Sequence, residues 1–235
     1  DVTVNADSVS YGTAINIEGI SGTIDFGNTA QFSNVVVPSG TTPGTDPVSL
    51  QGDGSAQTIV GKAEAEFIRA FGGDDDLRGN GGNDIILGFE RTGAADSDVD
   101  TAHFSGSGAA YTWSSTTTNI GFGTIPGVNI SGADGNDFVG QVEKFQFDSE
   151  PGKTYLIVGA GGYATIADAV AAANAGDVIW IANGSYAGAV VNKSVTIVGE
   201  SEAGVVIQGA GSGNGLDVQA SDVTIKSLTL NNFNN

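Results

Sequence analysis

Ala70-Phe71-Gly72-Gly73-Asp74-Asp75-Asp76-Leu77-Arg78 runs without a break into Gly79-Asn80-Gly81-Gly82-Asn83-Asp84-Ile85-Ile86-Leu87. Aligned, the two nonapeptides match glycine at their third and fourth positions, aspartate at the sixth and a large apolar residue at the eighth. The beat extends upstream, because Ile59, Ile68, Leu77 and Ile86 stand nine residues apart. Both copies approximate G-G-x-G-x-D-x-U-x, with U a large apolar residue, the repeat of a parallel β-roll. Six residues of Gly, Asn and Asp form a turn whose carbonyls and one carboxylate face a cation. The next three form a short strand whose U side chain enters the core. Such a stretch has too few apolar side chains to fold on packing alone, so a hard, oxygen-liganded cation such as calcium is expected to be part of the fold.

The surroundings fit that reading. The chain has 235 residues, 27 acidic against 8 basic, for a net charge of −19. Such a balance excludes a phosphate-binding surface for nucleic acid and disfavours anionic membranes. Most of the acids read as solvated surface. Those clustered between 74 and 100, with Asp98 and Asp100 beside the repeats, read as ligands because spacing and glycine context agree. There is no Cys, so disulfides, thiolate metal sites and cysteine nucleophiles are absent, and His103 alone cannot build a zinc site. No apolar run approaches the roughly 18 residues of a membrane span. The Gly- and hydroxyl-rich, Lys-poor composition points to an exported bacterial protein. With no Met and no signal-peptide pattern, the chain is expected to be processed or part of something longer.

Working outward, residues 1–50 hold short alternating runs, Val2-Thr3-Val4, Ala14-Ile15-Asn16-Ile17, Gly22-Thr23-Ile24-Asp25-Phe26 and Asn34-Val35-Val36-Val37, expected as β-strands. Pro38, Pro43 and Pro47 mark a linker. Residues 51–152 form the repeat module. It includes the acidic run 96–100, strands at 101–104 and 111–113, and a third nonapeptide, Gly132-Ala133-Asp134-Gly135-Asn136-Asp137-Phe138-Val139-Gly140. Asp134 and Asp137 of that copy join the candidate ligands. An alternating strand, 142–147, follows. From 153 to 235 the style changes to a strand, a Gly-rich turn, an Ala-rich helix at 165–174, and short β-branched runs separated by Gly, Asn and Ser. Asp168 and Asp177 read as solvated or capping acids.

Residues 155–173 imitate a dinucleotide fold, with an apolar strand, Gly159-x-Gly161-Gly162-x-Ala164 and a helix. The next strand, however, ends in Ala182-Asn183-Gly184, so no carboxylate waits for a ribose hydroxyl, and no further helix covers a parallel sheet. A parallel β-helix plugged at its N-terminal end by that helix accounts for the same residues. The first coil of such a fold has unpaired N–H and C=O groups and an open apolar core, which an Ala-rich helix covers.

Two families are resembled. Residues 59–148, chiefly the adjacent nonapeptides, resemble the RTX, or haemolysin-type, calcium-binding repeats of secreted bacterial proteins. The resemblance assigns Asp75, Asp84 and Asp137 as sixth-position aspartates. It assigns Gly72, Gly73, Gly81 and Gly82 as turn glycines whose carbonyls bind calcium. Phe71 and Asn80 depart from it in replacing the second glycine, and Asp74 stands where a small residue or Asn is usual. In that family calcium lies between turns two repeats apart on one edge. The turn 70–75 would therefore pair with Gly52-Asp53-Gly54, and 79–84 with the turn 61–66, which brings in Asp53 and Glu64. Residues 154–235 look like the start of right-handed parallel β-helix proteins, on Gly161-Gly162-Tyr163-Ala164-Thr165-Ile166, Ala175-Gly176-Asp177-Val178-Ile179 and Val195-Thr196-Ile197-Val198-Gly199. That group includes pectinesterases and polysaccharide lyases. Its catalytic residues lie on later coils, so no catalytic position carries over.

Other chemistry finds little support. Asp217 and Asp222 could pair for glycoside or uronate chemistry, but Lys193 and Lys226 form no accompanying basic cluster. A Ser-His-Asp site would need His103, which falls in a strand of the repeat module. The expected fold is all-β, a short RTX-like parallel roll joined to a short right-handed parallel β-helix with a capping helix, behind a small β segment. The expected function is a secreted, calcium-stabilised structural or adhesive surface protein that self-associates through exposed β edges and meets extracellular polysaccharide. The alternative is a fragment of a β-helical polysaccharide lyase or epimerase.

Overall fold

The computed structural model describes residues 23–24, 34–36, 48–52, 54–88, 98–120, 123–209 and 215–232. The strands expected at 2–4 and 14–17 and the Pro-rich linker lie outside the described residues. The fold is all-β with largely parallel sheets, and α1 (Ile166–Ala172) is the one α-helix among the described residues.

Nine-residue spacing makes successive strands alternate between two sheets. β1 (Thr23–Ile24), β3 (Val48–Gln51), β5 (Glu66–Arg69) and β7 (Ile85–Leu87) pair in parallel in one. β2 (Asn34–Val36), β4 (Thr58–Val60), β6 (Asp76–Arg78) and β8 (Thr101–Phe104) pair in parallel in the other. In strands this short, period-2 alternation turns one central side chain inward. Leu50, Ile59, Ile68, Leu77 and Ile86 are accordingly all fully buried between the sheets.

After β8 the chain leaves the roll through a 3-10 turn, Gly108–Ala110, and forms the antiparallel pair β9 (Thr112–Asn119) and β10 (Thr124–Gly132). It returns as β11 (Gly135–Gly140), antiparallel to β10 and parallel to β7. β12 (Lys144–Phe147) then pairs in parallel with β8 and antiparallel with β13 (Thr154–Val158). That reversal starts a set of three-sided coils. β14 (Val178–Ile181), β17 (Thr196–Gly199) and β20 (Thr224–Lys226) stack behind β13. β15 (Gly184–Ala187), β18 (Val205–Gln208) and β21 (Thr229–Asn231) form the second side. β16 (Ala189–Val191) and β19 (Leu216–Val218) form the third. One nine-stranded sheet thus runs through both halves of the chain.

Alternation along β13, β14 and β17 serves two cores. Leu156, Val158, Ile179, Ile181 and Ile197 face the coil interior together with Ile166, Ala169 and Val170 of α1. Ile157, Trp180 and Val198 face the other way, onto Trp113, Phe145 and the roll core. At seven residues α1 is too short to stand alone, so this docking holds it. Thr165 caps its start by accepting from Asp168 N (3.1 Å), and Lys193 Nζ donates to the carbonyls of Ala171 (2.5 Å) and Ala173 (2.6 Å) at its end. Asp177 is a buried turn organiser, accepting from the amides of Thr154 (2.8 Å) and Asn174 (2.7 Å).

Candidate functional site

Asp75, Asp84, Asp100, Asp137 and Glu143 do one job: each side chain accepts the main-chain N–H of the corresponding residue in the neighbouring turn of the same edge. On one edge Gln57 N donates to Asp75 Oδ1 (2.7 Å), Asp75 N to Asp100 Oδ1 (2.9 Å) and Asp100 N to Glu143 Oε2 (3.0 Å). On the other, Glu66 N donates to Asp84 Oδ1 (2.7 Å) and Asp84 N to Asp137 Oδ1 (2.9 Å). Glu66 Oε2 itself accepts from Lys62 N (3.0 Å). Two ladders of acids therefore climb the two edges of the roll, and Glu66, Asp75, Asp84, Asp100 and Asp137 are all buried.

Burying a carboxylate disfavours its charged form. Desolvation pushes Glu66 up to about 7, Asp84 to about 6 and Asp137 to about 7. Each accepts a main-chain amide, which works in the opposite direction, and neighbouring acids add to the rise. One oxygen stands apart. Asp84 Oδ2 is buried and has no hydrogen-bond partner among the described residues. A buried acceptor left unmade costs about 1–3 kcal/mol, more for a charged group.

The turns are shaped closely around these oxygens. A Cβ on Gly79 would collide with the Asp84 carboxylate, and one on Gly61 would lie 2.5 Å from Glu66 Oε2 and 2.7 Å from the Gly79 carbonyl. Gly82 has φ +126°, and a Cβ there would strike the Glu64 carbonyl. Phe71 and Asn80, at the second position of their nonapeptides, both adopt the left-handed region, at φ 71° and 68°. Asn tolerates that geometry better than Phe.

The anticipated residues separate by edge. Gly81, Gly82 and Asp84 share one edge with Asp137 above and the half-exposed Glu64 below; Gly81 N donates to the Lys62 carbonyl (2.9 Å), and Gly82 bridges Gly135. Gly72, Gly73, Asp75, Asp98 and Asp100 share the other, where Gly73 N donates to Asp98 Oδ2 (2.7 Å) and Val99 N to Asp74 Oδ1 (2.8 Å). Asp134 holds the base of the β9–β10 arm, accepting from Ser105 N (2.6 Å), the Ser105 hydroxyl and Tyr111 OH (3.0 Å). Asp53 lies outside the described residues. Asp217 accepts from Gln219 Nε2 (2.7 Å) and Asp222 is exposed.

Gln57, Glu66 and Glu143 were not among the anticipated residues. The frame holds the signal for the first two, since Gln57, Glu66, Asp75 and Asp84 are nine residues apart. No group of three or more His, Cys, Asp or Glu side chains is arranged to hold a metal among the described residues. A cation between stacked turns would draw instead on main-chain carbonyls and one or two carboxylates, and the Asp84 oxygen suits that donor set. No protein-family model and no curated protein sequence matches the chain.

Proposed function

We propose that this is a secreted, calcium-binding structural or adhesive surface protein whose RTX-like roll is completed by calcium between stacked turns. The observation that carries the reading is the buried, unpartnered Asp84 Oδ2, set in a ladder of buried acids between Glu66 and Asp137. Asp84, with Asp137 and carbonyls of the turns 61–66 and 79–84, would hold an ion on that edge. Asp75 and the carbonyls of Gly72 and Gly73 would do so on the other. Calcium supplies positive charge that compensates the buried acids and ties the stacked turns together. Calorimetric titration of the chelated protein with calcium, paired with circular dichroism, tests this. Heat of binding with a raised melting temperature is expected, and unchanged spectra and melting with no heat would sink it.

A further inference from the structure

We infer that the roll and the three-sided coils are one cooperative unit, in which a cation seated at the roll's turns sets the stability of the β-helix through residues 140–143. The inference rests on the calcium reading above and adds where the effect of binding is felt.

Four contacts carry it. First, β12 lies between the halves, so that Phe145 is paired with Ala102 of the roll on one side and Tyr155 of β13 on the other. Second, Glu143 belongs to both. Its Oε2 accepts the amide of Asp100 at the end of a carboxylate ladder (3.0 Å), and its carbonyl accepts the amide of Ile157 in the first β-helix strand (2.9 Å). Third, Gln141 is pinched from two directions and held at φ 55°. A Cβ on Gly88 would strike the Gln141 carbonyl and the Asp100 carboxylate. A Cβ on Gly161 would come 2.8 Å from Gln141 N and 2.9 Å from the Pro126 carbonyl. The glycine turn that imitates a dinucleotide motif is thus what lets the first β-helix turn lie flat against the roll. Fourth, Trp113 of the β9–β10 arm sits 5.8 Å from Trp180 and 5.2 Å from Tyr155, centroid to centroid. Beside it Glu200 accepts from Ser115 N (2.9 Å), Ser115 Oγ (2.5 Å) and Asn183 N (2.8 Å).

Packing this close leaves no slack between the ladder and the first coil. A shift of the Asp75 turn on losing its cation passes through the Asp75 N–Asp100 Oδ1 bond (2.9 Å) to Asp100 and on to Glu143 and Gln141, and these carry β13 with them. Elements that open together share one opening free energy, so a ligand of one half slows opening of both.

The experiment is amide hydrogen exchange by mass spectrometry on the whole chain, in chelator and with calcium at about 100 times its Kd, alongside calorimetry. Coil amides at 179–181 and 197–199 should slow by about a hundredfold, matching roll amides at 67–69 and 85–87. Gly161→Val, which drives a wedge against Gln141, should keep calcium affinity while its coil amides lose most of that slowing. Calcium binding that slows the roll but leaves wild-type coil amides unchanged overturns the coupling alone. Absence of any binding heat overturns the calcium reading and the coupling with it.

Discussion

Asp84 donates its main-chain N–H to the Asp137 carboxylate at 2.9 Å although 53 residues separate them. The β9–β10 arm lies between, so the roll resumes in register after a long excursion. What restores register is chemical as well as geometric. The sixth position supplies an acceptor for the turn beneath, and Val139, two residues after Asp137, is buried and paired with Ile86 as the next core residue.

Replacing Asp84 by Asn keeps the shape and an acceptor for Glu66 N while removing a buried negative charge. The wild type should gain about 2.7 kcal/mol of stability with calcium at about 100 times its Kd. Asp84→Asn should lose most of that gain and melt in chelator no lower than the wild type. Melting curves in chelator and calcium measure both. A full calcium response in the variant would remove Asp84 from the site.

Without calcium, stability should fall as pH rises. Unfolded Asp and Glu titrate near 3.9 and 4.3, whereas burial raises Asp84 to about 6 and Glu66 and Asp137 to about 7. The folded chain therefore binds protons more tightly. Its advantage is complete below about pH 4 and is lost as pH climbs through 6 and 7. Urea unfolding in chelator at pH 5 and pH 8 should give the larger free energy at pH 5, and calcium should reverse or flatten the trend.

Gly82→Ala should destabilise the roll by about 1–3 kcal/mol, since φ +126° suits only glycine and the new methyl meets the Glu64 carbonyl. Gly54→Ala is the control. No atom lies within 4 Å of its added Cβ, and a change within about 0.5 kcal/mol is expected. Equal effects in chemical denaturation would contradict the turn geometry.

The roll was legible because glycine, aspartate and one apolar residue recur in a strict frame at 70–87. Its continuation was harder to see. Glu66 and Glu143 escape an aspartate-only pattern because the fold asks only for an oxygen that reaches a nearby amide, and Gln57 enters through its main-chain N–H, which donates to Asp75. Glu143 is further hidden by the inserted arm, which breaks the nine-residue beat before Phe145. Strands at 111–113 were anticipated, whereas β9 extends to Asn119 through Ser and Thr that show no clean alternation, being largely solvent-facing. The helix at 165–174 appears as Ile166–Ala172 with Thr165 and Ala173 as caps, a difference confined to its ends. The reversal between β12 and β13 has a residue pattern, Pro151-Gly152, with Gly152 at φ +79° and Lys153 N donating to the Glu150 carbonyl (3.1 Å). What that turn could not say is that one sheet would cross from roll to coils, since this is set by which strands pair.

Lys193→Met tests whether the capping helix is held by charge as well as by packing. Methionine preserves the apolar stem but removes both donors to the last carbonyls of α1, at Ala171 and Ala173. Two charge-assisted bonds at a helix C-terminus, one of them exposed, should together contribute about 1–2 kcal/mol. The loss should appear first as faster amide exchange in residues 169–173. Calcium affinity should stay unchanged, since the substitution touches no ladder residue. Exchange as slow as in the wild type would assign α1's anchoring to Ile166, Ala169 and Val170 alone.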